Sequence, residues 1–128
     1  MKRGGILNPS LSHLLASTGH TDYFTVCDRG FPVPEGPERI DLALVDDIPT
    51  VLDVLGAVLA EWSLDRVLIT HEMDAISQDR VAEMRALLGD VPFERVSHVQ
   101  LKRLAQSARA TVRTGDTVPY ANIIVVSG

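Results

Sequence analysis

The stretch Gly19-His-Thr-Asp-Tyr-Phe-Thr-Val-Cys-Asp-Arg-Gly-Phe-Pro-Val-Pro34 sets a β-prone run, Tyr23 to Asp28, between two polar junctions. Aromatic and β-branched residues suit a pleated, half-buried strand, and glycine and proline on either side punctuate it. An imidazole, His20, precedes the run, and a carboxylate, Asp28, closes it. Strand ends are where α/β folds carry ligand chemistry, so both residues become site candidates. Spacing alone leaves each a second reading. His20 is equally a loop histidine bonded to local backbone, and Asp28 before Arg29-Gly30 equally starts an Asx turn. Pro32 and Pro34 stiffen the loop that follows, as a pocket wall requires.

Outward from this stretch, helical and strand-like periodicities alternate. Upstream, Asn8-Pro9 reads as a helix cap with proline at the first position. Leu11, Leu14, Leu15 and Thr18 fall on one face, His13 falls on the solvent side, and Gly19 is the expected stop. Downstream, Arg39 to Leu44 fits either an edge strand or the run into a helix. Pro49 then opens the most apolar helix, carrying Val51, Leu52, Val54, Leu55, Val58, Leu59 and Trp62. At ~100° per residue these cover an arc of roughly 160°, more than a sheet-facing stripe needs. A neighbouring subunit is the expected cover.

Val67 to Thr70 has the continuous apolar character of a strand inside a parallel sheet. His71-Glu72 at its end is either a site pair or a surface loop. Gln78 to Leu88 predicts an amphipathic helix with Val81, Met84, Leu87 and Leu88 inward and Arg80, Glu83 and Arg85 outward. Phe93 to Val96 is a further strand, and Ser97 with Gln100 fits a capping box opening a helix through about Ala108. Leu101, Leu104, Ala105 and Ala108 form its buried stripe, with His98 and Lys102 one turn apart on its flank. The last strands are Arg109 to Thr114 and Ile123 to Val126, joined by a turn-rich segment ending Pro119-Tyr-Ala-Asn122. The alternation predicts an α/β domain.

Composition narrows the function. The 128 residues suit one domain, 1–128, with a real core. Hydrophobic residues make up 45% and charged residues 23%, which excludes disorder, and the net charge of -5 with scattered basic residues offers no footprint for nucleic acid or anionic lipid. No apolar run is long enough to span a bilayer. The single Cys27 excludes an intramolecular disulfide, and no leader-like start is present, so the cytoplasm is the expected compartment. Metal-ligand spacing, a phosphate-binding glycine loop and a serine nucleophile elbow are all missing from the sequence. What remains is a set of histidines, an aspartate, a lysine, a tyrosine and an asparagine at element ends, a set suited to binding a polyol and moving protons.

These residues carry a resemblance. The opening Met1-Lys-Arg-Gly4 with Leu7-Asn8, Gly19-His-Thr-Asp22, Cys27-Asp28 with Gly30, Pro32-Val-Pro34, Arg39-Ile-Asp-Leu-Ala-Leu44, His98 with Lys102, and Arg113-Thr-Gly115 with Pro119-Tyr-Ala-Asn-Ile-Ile124 resemble the ribose and fucose mutarotase family. The pieces span nearly the whole chain, and their order and spacing make the combination specific. Thr21 and Ala121 favour the ribose branch.

The resemblance implies a small three-layer α/β sandwich with a largely parallel sheet, assembled into a ring-shaped homo-oligomer, an octamer or decamer, with sites near subunit interfaces. It implies a cofactor-independent isomerase that interconverts the pyranose and furanose forms of D-ribose. Opening a cyclic hemiacetal takes one proton delivered to the ring oxygen and one removed from the anomeric hydroxyl, chemistry that an imidazole titrating near ~6.5 can serve. Carried over by position, His20 is the proton donor, and Asp28, His98, Lys102, Tyr120, Ala121 and Asn122 bind the sugar. The alternatives are a mutarotase for another sugar such as L-fucose, or a non-catalytic sugar-binding module linked to ribose uptake. Two departures bear on specificity: Arg29 replaces a usually small residue and is expected near the pocket mouth, where it would favour an anionic sugar, and His71 stands where an acidic residue is common.

Overall fold

The computed structural model describes residues 1–128 as an α/β domain built on one six-stranded sheet. The strands are β1 (Tyr23–Cys27), β2 (Glu38–Asp41), β3 (Leu64–Thr70), β4 (Phe93–Val96), β5 (Ala110–Arg113) and β6 (Ile123–Ser127). The helices are α1 (Pro9–Ser17), α2 (Val51–Leu59), α3 (His71–Ile76), α4 (Gln78–Leu88) and α5 (His98–Ala105). The sheet order is β2-β5-β1-β6-β3-β4. Parallel pairing joins β2 to β5, β5 to β1 and β3 to β4, while β6 pairs antiparallel with both β1 and β3. Five strands therefore run the same way and β6 alone opposes them, as a largely parallel sheet requires. Of Arg39 to Leu44, only the part through Asp41 forms the edge strand β2, paired on one side only, and Leu42 to Leu44 lie beyond it.

Side chains alternate across the sheet with period two. Phe24 and Val26, Val67 and Ile69, and Ile123 and Val125 point into a core of 21 buried residues shared with α1 to α4. Cys27, Leu68, Ile124 and Val126 point the other way, into a core of seven that includes Leu101 and Ala105 of α5. The result is three layers, four helices on one face and one on the other.

The local chemistry explains most boundaries. Asn8 caps α1 through a hydrogen bond from Leu11 N at 2.9 Å. Its stop differs from expectation: Thr18 is the C-cap, and the left-handed residue of the turn is Thr21, φ 72°, rather than Gly19. Pro49 precedes α2 rather than entering it, because Thr50 is the cap and forms a reciprocal box with Asp53. Trp62 lies beyond that helix, packed at 5.1 Å against Phe24, its indole N–H bonded to Thr18 Oγ1. His71 and Glu72 do not form a loop; they open α3, capped by Thr70. On α4, Met84 and Leu88 face inward as expected and Val81 packs against the core, but Arg80 is buried and Leu87 is exposed. Ser97 Oγ accepts from Gln100 N at 3.0 Å, which is one half of the expected capping box, and the N–H of His98, the first helical residue, bonds to Glu72.

Candidate active site

Because five strands share one direction, the segments that follow β1, β3, β4 and β5 emerge along one edge of the sheet. A cleft of about 240 Å³ opens there, lined by Asp28, Gly30, Phe31, Pro32, His98, Pro119, Tyr120 and Asn122. Asp28 follows β1, His98 follows β4, and Tyr120 and Asn122 precede β6. This is the carboxyl edge, where open α/β sheets bind ligands.

Asp28 forms the Asx turn and stands at the cleft. Its Oδ1 accepts the N–H of Gly30 at 3.0 Å, closing an Asx turn, and the same carboxylate lines the cleft. Burial raises its pKa above the ordinary carboxylate value, and Asp116 nearby adds to the rise. The N–H groups of Gly30 and Phe31 and the Asn122 side chain act in the opposite direction. Asn122 is 2% exposed, and its Oδ1 accepts the backbone N–H of Asp28 at 2.9 Å, which locks β1 and β6 together at the floor of the cleft. Tyr120 adopts the left-handed region at φ 59°, which folds the turn so that Asn122 N reaches Tyr120 O at 2.7 Å.

His98 is the first residue of α5. Its ring meets Tyr120 edge-on at 5.2 Å and Phe31 at 6.2 Å, held between two aromatic walls. Its Nδ1 is buried without a hydrogen-bond partner. An unpaired polar atom in such a wall costs stability unless a ligand satisfies it. Glu72 fixes the backbone beneath, its carboxylate oxygens accepting His98 N at 3.0 and 3.2 Å. Those bonds hold the Glu72 pKa below the usual range.

Not every expected residue comes to the cleft. His20 is exposed and precedes β1, at the amino edge of the sheet. A five-residue strand separates it from Asp28, roughly 16 Å of chain. Lys102 sits one turn beyond His98, outside the cleft lining and without an ion pair. Ala121 is fully buried in the larger core, which leaves only its main chain at the turn. Arg29 turns away from the cleft to pair with Asp46 at 2.7 Å, so it does not stand at the mouth. Conversely, Phe31 and Pro119 are lining residues that the sequence did not single out. No group of three or more His, Cys, Asp or Glu side chains is gathered as a metal cluster would be, and no helix is long and apolar enough to cross a membrane.

Residues 1–128 match the RbsD / FucU transport protein family over their full extent. The chain belongs to that family. A relative from Coprothermobacter proteolyticus named D-ribose pyranase is 44% identical over 128 residues, covering 100% of this chain and 98% of its own. Another of that name, from Geobacillus kaustophilus, is 44% identical and covered to 94%. Among solved structures, Bacillus subtilis RbsD complexed with D-ribose superposes with a TM-score of 0.95 at 37% identity, covering 100% of this chain and 98% of that one. The Streptococcus pneumoniae fucose mutarotase in complex with L-fucose gives 0.69 at 20% identity over 95% of this chain and 93% of its own, a likeness of fold. The family fold thus accounts for the three layers and the carboxyl-edge cleft together.

Proposed function

We propose that this chain is a D-ribose pyranase, an isomerase interconverting the pyranose and furanose forms of the free sugar. The observation that carries the reading is the full-length match, at 37% identity and TM-score 0.95, to an RbsD complexed with D-ribose. Relatives named D-ribose pyranase at 44% identity over the whole chain support the same reaction. The fucose mutarotase, at 20% identity, supports only the architecture.

The cleft suits the chemistry. Asp28, Asn122, Tyr120 and the His98 imidazole present acceptors and donors to sugar hydroxyls, and Phe31 supplies an apolar wall. Asp28 takes the proton of the anomeric hydroxyl as the bond from C1 to the ring oxygen breaks. His20 delivers a proton to that oxygen. The open aldehyde turns about its carbon chain, and either the 5-hydroxyl or the 4-hydroxyl closes on C1, giving pyranose or furanose, while the two protons return. No cofactor is needed for this cycle. His20 reaches the cleft from a neighbouring copy in a ring of eight or ten subunits, a reading supported by its distance from the cleft within one chain. Lys102, half-buried one turn beyond His98 on α5, joins the sugar site from the rim. The protein works in the cytoplasm on a small neutral sugar, with no nucleic-acid or membrane partner.

The test is saturation-transfer NMR on D-ribose at ring-form equilibrium. Transfer between pyranose and furanose signals should rise with protein concentration and fall by about 10² to 10⁴ in His20→Ala, the range for a lost proton-transfer group. Absence of any catalysed exchange by the unmodified protein would refute the assignment.

A further inference from the structure

The molecule holds a buried ion pair that the reaction itself does not use. Arg80 of α4 retains 10% side-chain exposure, and its guanidinium binds the Asp116 carboxylate, which is wholly buried. Asp116 is a junction. Its Oδ2 also accepts Val51 N at the start of α2, at 2.9 Å. Its Oδ1 accepts Val118 N at 3.0 Å, and its carbonyl oxygen accepts Arg29 N, also at 3.0 Å. Val118 leads directly into Pro119, Tyr120 and Asn122, and Arg29 belongs to the turn that Asp28 begins. Two opposite walls of the cleft are therefore tied to one residue, the 118–122 turn through the Asp116 carboxylate and the 28–31 turn through its backbone carbonyl oxygen. A second tie comes from the start of the same helix, where Ser77 Oγ donates to Pro119 O at 2.5 Å.

We propose that Arg80, acting through Asp116, is a positioning residue for the sugar cleft. This rests on the reading of the cleft as the ribose site. A purely stabilising role is a poor account of the pair, because a buried ion pair is often no more stabilising than apolar residues of similar volume. What the guanidinium supplies is direction. A carboxylate anchored by a fixed cation keeps its oxygens aimed at Val118 N and Val51 N, which holds the Asp116 backbone in place and with it both the 118–122 turn and the carbonyl oxygen that receives Arg29 N. An apolar pair fills the same volume and aims nothing. Arg80 lies some distance from the sugar along this chain of bonds and touches no reacting atom.

The test compares the unmodified protein with Arg80→Met/Asp116→Leu, which removes both charges so that neither is left buried alone, and with Arg80→Lys, which keeps the cation. Ring-form exchange is followed against D-ribose concentration, and backbone amide shifts are recorded without sugar. The double variant should lose on the order of 10- to 100-fold in kcat/KM, carried by KM, as misplaced binding groups do. Its amide shifts should change at 28–31 and 118–122 more than elsewhere, and Arg80→Lys should recover part of the KM. An unchanged KM in a folded double variant overturns the proposal, as does a loss that appears only in kcat through a smaller active fraction. Should the double variant not fold, Arg80→Met alone is read in its place, and a parental KM together with unmoved shifts at 118–122 in that variant overturns the proposal equally. Failure of the ribose assignment is seen separately, as absent exchange in the unmodified protein.

Discussion

Asp28 closes a turn with the same carboxylate that lines the cleft. Its carboxylate is half-buried and short of cations, since Arg29 is committed to Asp46. Burial is thus the leading cause of its raised pKa, and a raised pKa makes a carboxylate a better proton acceptor. The sign of the stability effect follows by linkage. Its folded pKa lies above the ordinary 3.8, so the favourable contribution is complete below 3.8 and is lost as pH rises through the raised value. At neutral pH the ionised group therefore costs stability. Asp28→Asn, which keeps an acceptor for Gly30 N, should melt no lower than the parent at pH 7, with the difference closing below pH 4, while exchange falls by about 10² to 10⁴. A variant clearly less stable at pH 7 than the parent would show that the carboxylate is held by favourable charge interactions instead. At this scale the Asx turn was readable because Asp-Arg-Gly is a local signal, and the end of a strand is where the cleft lies. Arg29 was not readable: its partner Asp46 is 17 positions away, beyond any local rule.

Elements explain the rest of what could and could not be foreseen. Helix α5 was legible in kind because Ser97 caps it and Leu101 and Ala105 give it an inward stripe, though it ends at Ala105, three residues before the expected boundary. It is the only helix on its face, and its core holds seven buried residues against 21 opposite. Leu101, fully buried there, has few alternatives to relax into. Leu101→Ala should cost about 2–5 kcal/mol in urea unfolding, the range for emptied leucine sites. A loss well under that would mean that the α5 layer collapses onto the gap. Helix α4 was legible in its bounds and in Met84 and Leu88, and Arg80 was misplaced for a physical reason. Its stripe runs Arg80, Met84, Leu88, spaced by four, and periodicity scored by hydrophobicity discards the arginine that heads it. An arginine in register with two buried apolar residues was the available signal of a buried counter-charge. Helix α3 was invisible because six residues with two acids in the first turn carry no apolar period.

At the scale of the molecule, direction organises everything. Five co-directional strands gather Asp28, Glu72, His98, Tyr120 and Asn122 at one edge, so sequence-distant residues meet without any local signal. The same direction sends His20 to the opposite edge, because it precedes the strand that Asp28 follows. A residue stranded on the wrong edge of its own chain is still well placed to face another copy. Leu44, Val45 and Ile48 are 76%, 59% and 55% exposed between β2 and α2, and Gly115 beneath them tolerates no side chain because a Cβ would collide with the Val45 carbonyl oxygen. That loop is rigidly held yet apolar outside, as a surface meant for covering would be. If the ring brings His20 of one subunit to Asp28 of the next, then His20→Ala and Asp28→Asn damage different halves of a shared site. Each alone should be inactive. Subunits of the two mixed in equal amounts and reassembled should recover about a quarter of the parental exchange, since half the chains keep each partner and pairing is random. Mixed rings that form, as mass spectrometry can verify, and yet stay silent would place both groups in one chain and require His20 to cross the sheet edge by rearrangement, which the buried β1 between them opposes.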